Sequence, residues 1–197
     1  MRVSVSQELI ELSTSLTSLF EAAERGDKSV SDDLFTALYE ELHRLARSQL
    51  AHQVPMTIGA TTLLHQAYIE MAGRSPVSFP DRSRFMAYAA RVMRGLIIDH
   101  ARSRNAQKRG GQFEIISSDL TADQSADYLE LKELSCALDQ LAEVEPQLAE
   151  VVDLKFFCGF TFAEIAAMKN LSERTVQRQW EKARIYLHRK LASGIES

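Results

Sequence analysis

Apolar side chains recur at spacings of three and four along most of the chain, and long runs of strict alternation are missing. That period marks amphipathic helices, not half-buried strands. Residues from about 15 to 25 read as a first helix that stops near Gly26. A second starts at Ser31 or Asp32 and carries Leu34, Phe35, Leu38, Leu42, Leu45 and Leu50 along its apolar side. The segment from Pro55 to Gly59 breaks the pattern. Thr61 or Thr62 then caps a helix containing Leu63, Leu64, Ala67, Tyr68 and Met71, and a proline-containing loop runs from Gly73 to Pro80. A long helix follows from about Ser83 to Arg104. On a wheel of about 100° per residue, Phe85, Ala89, Val92 and Leu96 cluster on one side. Arg91, Arg94 and Arg102 fall within about 80° of one another on roughly the opposite side, so the pattern expects them to point outward together.

Gly110-Gly111 ends this unit, and the polar, acidic stretch that follows reads as a linker. The expected architecture is all-α: one helical domain over residues 14–109, a linker over 110–127, and a second helical domain over 128–191. In the second domain Pro146 suits the first turn of a helix that ends at Gly159. Thr161 followed by Glu164 forms a capping box. Asn170 suits the left-handed position of a tight turn, and Ser172 can cap the next helix. There Val176, Trp180, Ala183, Leu187 and Leu191 form the buried stripe. Arg174, Gln177, Arg178 and Lys182 are left outside it. The segment from Gly159 to Leu191 is a helix-turn-helix ending in a basic helix, and such side chains suit base edges and phosphates in a major groove.

A formal net charge of −4 looks wrong for a DNA binder until its distribution is considered. From Arg82 to Arg109 there are eight basic residues and one acid, Asp99. From Gly110 to Asp153 there are eleven acids and one base, Lys132, and from Ser172 to Lys190 six bases and two acids. Two basic blocks therefore flank an acidic one, and local field outweighs net charge where phosphates lie within a Debye length. The acidic linker could also hold the two basic units together in the free protein and mask DNA binding. Cys136 and Cys158 are isolated, which disfavours a disulfide framework or a zinc site. The five histidines show no metal spacing, and Asp99-His100 are helix neighbours pointing about 100° apart, a poor acid–base pair. No P-loop or nucleophile elbow occurs, so neither an enzyme nor a cofactor is expected. No apolar run approaches a membrane span of about 20 residues, and the N-terminus lacks the apolar block of a signal peptide. The expectation is a cytoplasmic protein.

The segment FMAYAARVMRGLIIDHARSRNAQKRGG, from Phe85 to Gly111, resembles the part of extracytoplasmic-function (ECF) sigma factors that melts and reads the promoter −10 element. The stretch from Leu141 to Leu191 resembles their −35-reading domain. LLHQAYIEM, Leu63 to Met71, resembles their helix that docks on the β′ clamp of RNA polymerase. The resemblance implies a bacterial transcription initiation factor. It would bind core RNA polymerase at the β′ clamp and β flap and bring it to promoter DNA, with an anti-sigma factor as a further partner. By matching positions, Phe79, Arg84, Arg91, Arg94, Arg102, Arg104, Lys108 and Arg109 would serve the −10 element. Phe79 would be either the aromatic of a flipped-base pocket or a plain hydrophobic anchor. Ser172, Arg174, Thr175, Gln177, Arg178, Lys182 and Arg184 would serve the −35 element. Leu63, Leu64, Gln66 and Tyr68 would contact core polymerase. The rival reading is a helix-turn-helix regulator that binds duplex DNA and never engages polymerase.

Two departures from the family pattern stand out. The clamp-binding helix of the family opens with a short acidic run, whereas here the matching residues are Gly59, Ala60, Thr61 and Thr62. The resemblance extends to members that lack these acids and are switched by Ser/Thr protein kinases, which makes Thr61 and Thr62 candidate phosphorylation sites. A phosphate there would add about −1.5 to −2 charge at the positive end of a helix. The second departure is Gly95, where Asn is common. Glycine inside a helix costs about 1 kcal/mol, and a close backbone approach is the expected reason for it.

Overall fold

A computed structural model describes residues 18, 19, 22, 28–51, 58–73, 79–110 and 123–194; the side chains of 28–31, 104–110, 123–128 and 193–194 lie outside the description. Helix is the only regular structure among the described residues. The elements are α1 (Lys28–Ala37), α2 (Tyr39–Ala51), α3 (Ala60–Gly73), α4 (Arg82–Gly110), α5 (Asp123–Val144), α6 (Pro146–Val152), a π-helical turn (Asp153–Phe157), α7 (Phe162–Lys169) and α8 (Glu173–Gly194).

The apolar periodicity locates most of this. Leu34, Leu38, Leu42 and Leu45 are all buried. The one helix expected there is two, α1 and α2, meeting at Leu38. The interruption is slight, since the Leu38 amide still donates to the Leu34 carbonyl at 3.0 Å and Leu42 to Leu38 at 2.9 Å. Helix α3 begins one position before the expected threonine cap. The Leu63 amide donates to the Gly59 carbonyl, so Thr61 and Thr62 occupy the first turn. Asp81 starts α4, its carboxylate accepting from the Arg84 amide at 2.9 Å and the Ser83 hydroxyl at 2.6 Å. This is an aspartate N-cap. Helix α4 runs on to Gly110, and α5 begins at Asp123, inside the expected linker.

The C-terminal half holds one feature that periodicity cannot give. The helix opened by Pro146 does not run evenly to Gly159. After Val152 it widens into the π turn, where the Cys158 amide reaches back to the Asp153 carbonyl at 3.0 Å. The turn then closes at Gly159, whose φ of +75° suits glycine. Helices α5, α6, α7 and α8 pack on one another, as do α2, α3 and α4. The two groups do not stand apart. Helix α4 packs against α5, α6, α7 and the π turn, the turn also touches α2, and one continuous core runs through both halves.

Candidate nucleic-acid interface

The basic surface of α8 is built by its capped turn. Thr161 caps α7 in a complete capping box: its hydroxyl accepts from the Glu164 amide at 3.2 Å, while the Glu164 carboxylate accepts from the Thr161 amide at 2.7 Å and hydroxyl at 2.8 Å. These bonds hold the Glu164 carboxyl below its ordinary pKa. Asn170 ends α7 in the left-handed conformation, with φ 51° and ψ 44°. Ser172 accepts from the Thr175 amide at 3.2 Å and starts α8. Val176, Ala183 and Leu187 are buried, and Trp180 and Leu191 are half-buried against the core, with Trp180 edge-on to Phe162. The opposite face presents Arg174, Gln177, Arg178, Lys182 and Arg184 to solvent. Thr175 is half-buried, Gln177 donates to Glu173 at 3.2 Å, and Arg184 pairs with Glu181 at 3.3 Å.

The arginines of α4 divide into two sets. Arg84, Arg91 and Arg102 are exposed, and one wheel position aligns them to within about 20°. Arg94 is not exposed, contrary to the expectation that it shares this outward face. Only 1% of its side chain is accessible. Its guanidinium donates to the Asp153 carboxylate at 2.7 Å and to the Ser135 hydroxyl at 3.3 Å, and it lies 4.7 Å above the Phe157 ring. All three partners come from the C-terminal half. Asp139 approaches the same guanidinium at 3.9 Å and Arg91 at 4.0 Å. Amphipathicity placed Arg94 correctly on the wheel; what it could not give is that α5 and the π turn cover that flank. Burial pushes the Asp153 carboxyl above its ordinary pKa despite the opposing pull of Arg94 and Arg91. The side chains of Arg104, Lys108 and Arg109 lie outside the described residues.

Phe79 is half-buried in an aromatic cluster with Phe85 at 5.2 Å and Tyr88 at 5.1 Å. The Tyr88 hydroxyl beside it is buried and has no hydrogen-bond partner among the described residues. His100 turns away from Asp99 and meets the Gln66 side chain at 2.9 Å. Gly95 has open space where a Cβ would stand, so a close backbone approach does not explain it.

On α3, the expected contacts Leu63 and Leu64 are fully buried in the protein's own core and are not available to a partner. Gln66 is engaged by His100, and half-buried Tyr68 donates to Asp32 at 2.7 Å. Residues 62, 65, 69 and 72 form the accessible side instead, with Ile69 68% exposed. Thr61 and Thr62 are both exposed, Thr61 lying 3.4 Å from the His43 ring.

The family model of the ECF sigma factors matches residues 13–193. The chain belongs to the ECF sigma factor family. A comparison with curated proteins found no match. Membership makes the chain a sigma factor that binds core RNA polymerase and directs it to promoter DNA. None of the described helices is long and apolar enough to cross a membrane.

Proposed function

We propose that this sigma factor reads the −35 element in the major groove with α8 and captures the melted −10 element along α4. In α8, Arg174, Gln177 and Arg178 approach base edges, while Lys182 and Arg184 meet phosphates and set register. In α4, Arg84, Arg91 and Arg102 supply the cations that single-strand capture needs. Arg104, Lys108 and Arg109 extend that row, and Arg94 joins it only when uncovered. The observation that carries this reading is the unobstructed polar face of α8 behind a doubly capped turn, in a chain matched to the family almost throughout. The division into a 14–109 unit for polymerase and the −10 element and a 128–191 unit for the −35 element follows from it.

Docking on the β′ clamp uses the accessible side of α3, with Thr62, His65 and Ile69, in place of the buried leucines. The first turn of α3 lacks the acids that would pair with a basic clamp. Phosphorylation of Thr61 or Thr62 by a Ser/Thr protein kinase restores that charge at the helix N-terminus, where the dipole favours it. An anti-sigma factor would be a competitor for the same polymerase-binding surfaces. Run-off transcription with purified core polymerase, before and after kinase treatment, tests the reading. Specific transcripts support it; duplex binding with no transcript under either condition favours the polymerase-independent regulator. Full activity of protein shown by intact mass to carry no phosphate removes the switch.

A further inference from the structure

Gly59, Gly73, Gly110, Gly159 and Gly194 stand at helix ends or in a turn. Among the described glycines Gly95 alone lies in the middle of a helix, where glycine weakens the helix relative to alanine. Nothing in the fold calls for it there. Its backbone is helical, so no left-handed turn requires glycine, and no other part of the chain comes within 4 Å of where a Cβ would stand. A residue that breaks a local rule without serving the fold points to a role outside it.

The helix wheel gives that role a direction. Arg91, Gly95, Ile98 and Arg102 follow one another at steps of four, three and four residues, all within about 60° of arc. Arg91 and Arg102 are exposed, while Ile98 is half-buried with one side against the core. The stripe therefore has a cation at each end and an apolar, side-chain-free middle. Gly95 lies about 6 Å along the axis from Arg91 and about 10.5 Å from Arg102. Removing the Cβ lets a flat group lie closer to the helix backbone than any other residue would allow. A nucleotide of a single strand has the matching form, a flat base and sugar between two anionic phosphates. A duplex does not, because its bases are stacked inside and its outer surface offers phosphates that need no bare backbone to meet.

We propose that Gly95 is a seat for the single strand on α4: a nucleotide lies flat on the bare turn, against Ile98, while Arg91 and Arg102 hold the phosphates on either side. This rests on the reading of α4 as the −10 surface and adds the point at which the strand touches down. Glycine supplies closeness and no hydrogen bond, so the seat fixes where the strand lies without choosing its base. Gly95 is thus a positioning residue, and the helix stability it forgoes is the counterpart of the approach it permits.

Substitution at this position should move stability and binding in opposite directions. Gly95→Ala should raise Tm by about 2–4 °C, since alanine favours the helix and its Cβ enters open space. The same variant should bind a fluorescein-labelled oligothymidylate of about twenty residues about fivefold more weakly, by anisotropy of the full chain at about 50 mM salt. Gly95→Leu should keep far-UV helicity and weaken binding about thirtyfold, because its bulk fills the seat. Both losses should be the same on an oligodeoxyadenylate. Arg91→Ala is the reference for the −10 reading itself and should weaken binding severalfold on either strand. A Gly95→Ala protein that binds as tightly as the wild type, or that melts lower, would overturn the seat, and losses that depend on the base would overturn its indifference to sequence. Failure of the wild type to bind either strand, or binding indifferent to Arg91→Ala, would instead overturn the −10 reading of α4 and the seat with it.

Discussion

Salt dependence of duplex binding gives the sharpest test of the α8 surface. Arg174, Arg178, Lys182 and Arg189 are exposed, and no carboxylate is paired with them among the described residues. Arg184 differs in being held by Glu181 at 3.3 Å. If all four unpaired cations met phosphates, the slope of log K against log salt would be about −3.6, at about −0.9 per contact on B-form DNA. Raising salt from about 50 to about 200 mM would then weaken binding roughly 150-fold. Those that meet base edges lower this figure, so it is an upper bound. Lys182→Ala should make the slope shallower by about 0.9 and weaken binding to every duplex alike. Arg178→Ala should instead cost about 1–3 kcal/mol on the preferred −35 sequence and much less on others. Fluorescence anisotropy of the full chain on labelled duplexes, titrated at four or five salt concentrations, reads both quantities. This face is exposed in the free protein, which therefore suffices. A slope unchanged by Lys182→Ala, or equal losses on all sequences for Arg178→Ala, would refute the assignment of these side chains.

Four further expectations follow from the geometry. Asp153→Ala leaves a guanidinium at 1% exposure without its carboxylate and should destabilise the protein by about 3–5 kcal/mol, whereas the double change Arg94→Met with Asp153→Leu should restore most of it; denaturant melts in which the double variant is no better than the single one would contradict this. Because burial raises the native pKa of Asp153, the native state binds the extra proton between the unfolded value of about 3.9 and that raised value. The contribution of this group is therefore full below the window and lost as pH rises through it, and Asp153→Asn should remove that slope. Glu164 has the opposite sign, its pKa being lowered: its contribution is present above the unfolded value and lost as pH falls through the native one. Thr161→Ala should cost about 1 kcal/mol and return the Glu164 carboxyl towards its ordinary value in an NMR titration. Ile69→Glu, at a side chain 68% exposed, should leave thermal unfolding unchanged yet weaken core-polymerase binding about tenfold or more; unchanged binding would remove Ile69 from the docking face.

The sequence carried local signals with unequal reach. Capping chemistry was read at the right residues: Thr161, Glu164, Asn170 and Ser172 all do what their side chains allow, because a cap is settled within four residues. The threonine cap of α3 failed because the Gly59 carbonyl opens the helix instead. The apolar stripes were also legible, which is why Leu34, Leu38, Leu42, Val176 and Ala183 are buried as expected. Choosing Leu63 and Leu64 for a partner by motif position ran against the same rule. Two leucines at the apolar side of a short helix are core first, and a docking face has to be sought among their exposed neighbours. The π turn had no signal at all, since no residue type marks the insertion of one extra position in a helix.

Arg94 shows the limit of such reasoning most clearly. A wheel reports which side chains share a face but not what another part of the chain lays over it. An arginine is a poor core residue, costly to bury alone and tolerable only with a partner. Its partner here lies 59 residues away, beyond any local pattern. Yet the excess of acids between the two basic blocks was visible, and its members beyond the expected linker are the ones that reach α4. Asp139, Glu150 and Asp153 all fall within that acidic run and all face α4. Charge blocks of opposite sign in one chain therefore constrain each other before they constrain any partner. A DNA-binding surface read from cations alone will be overestimated wherever the same chain carries acids able to reach it. In this sigma factor the cations that α4 leaves exposed are Arg84, Arg91 and Arg102, while Arg94 is held by Asp153 and approached by Asp139.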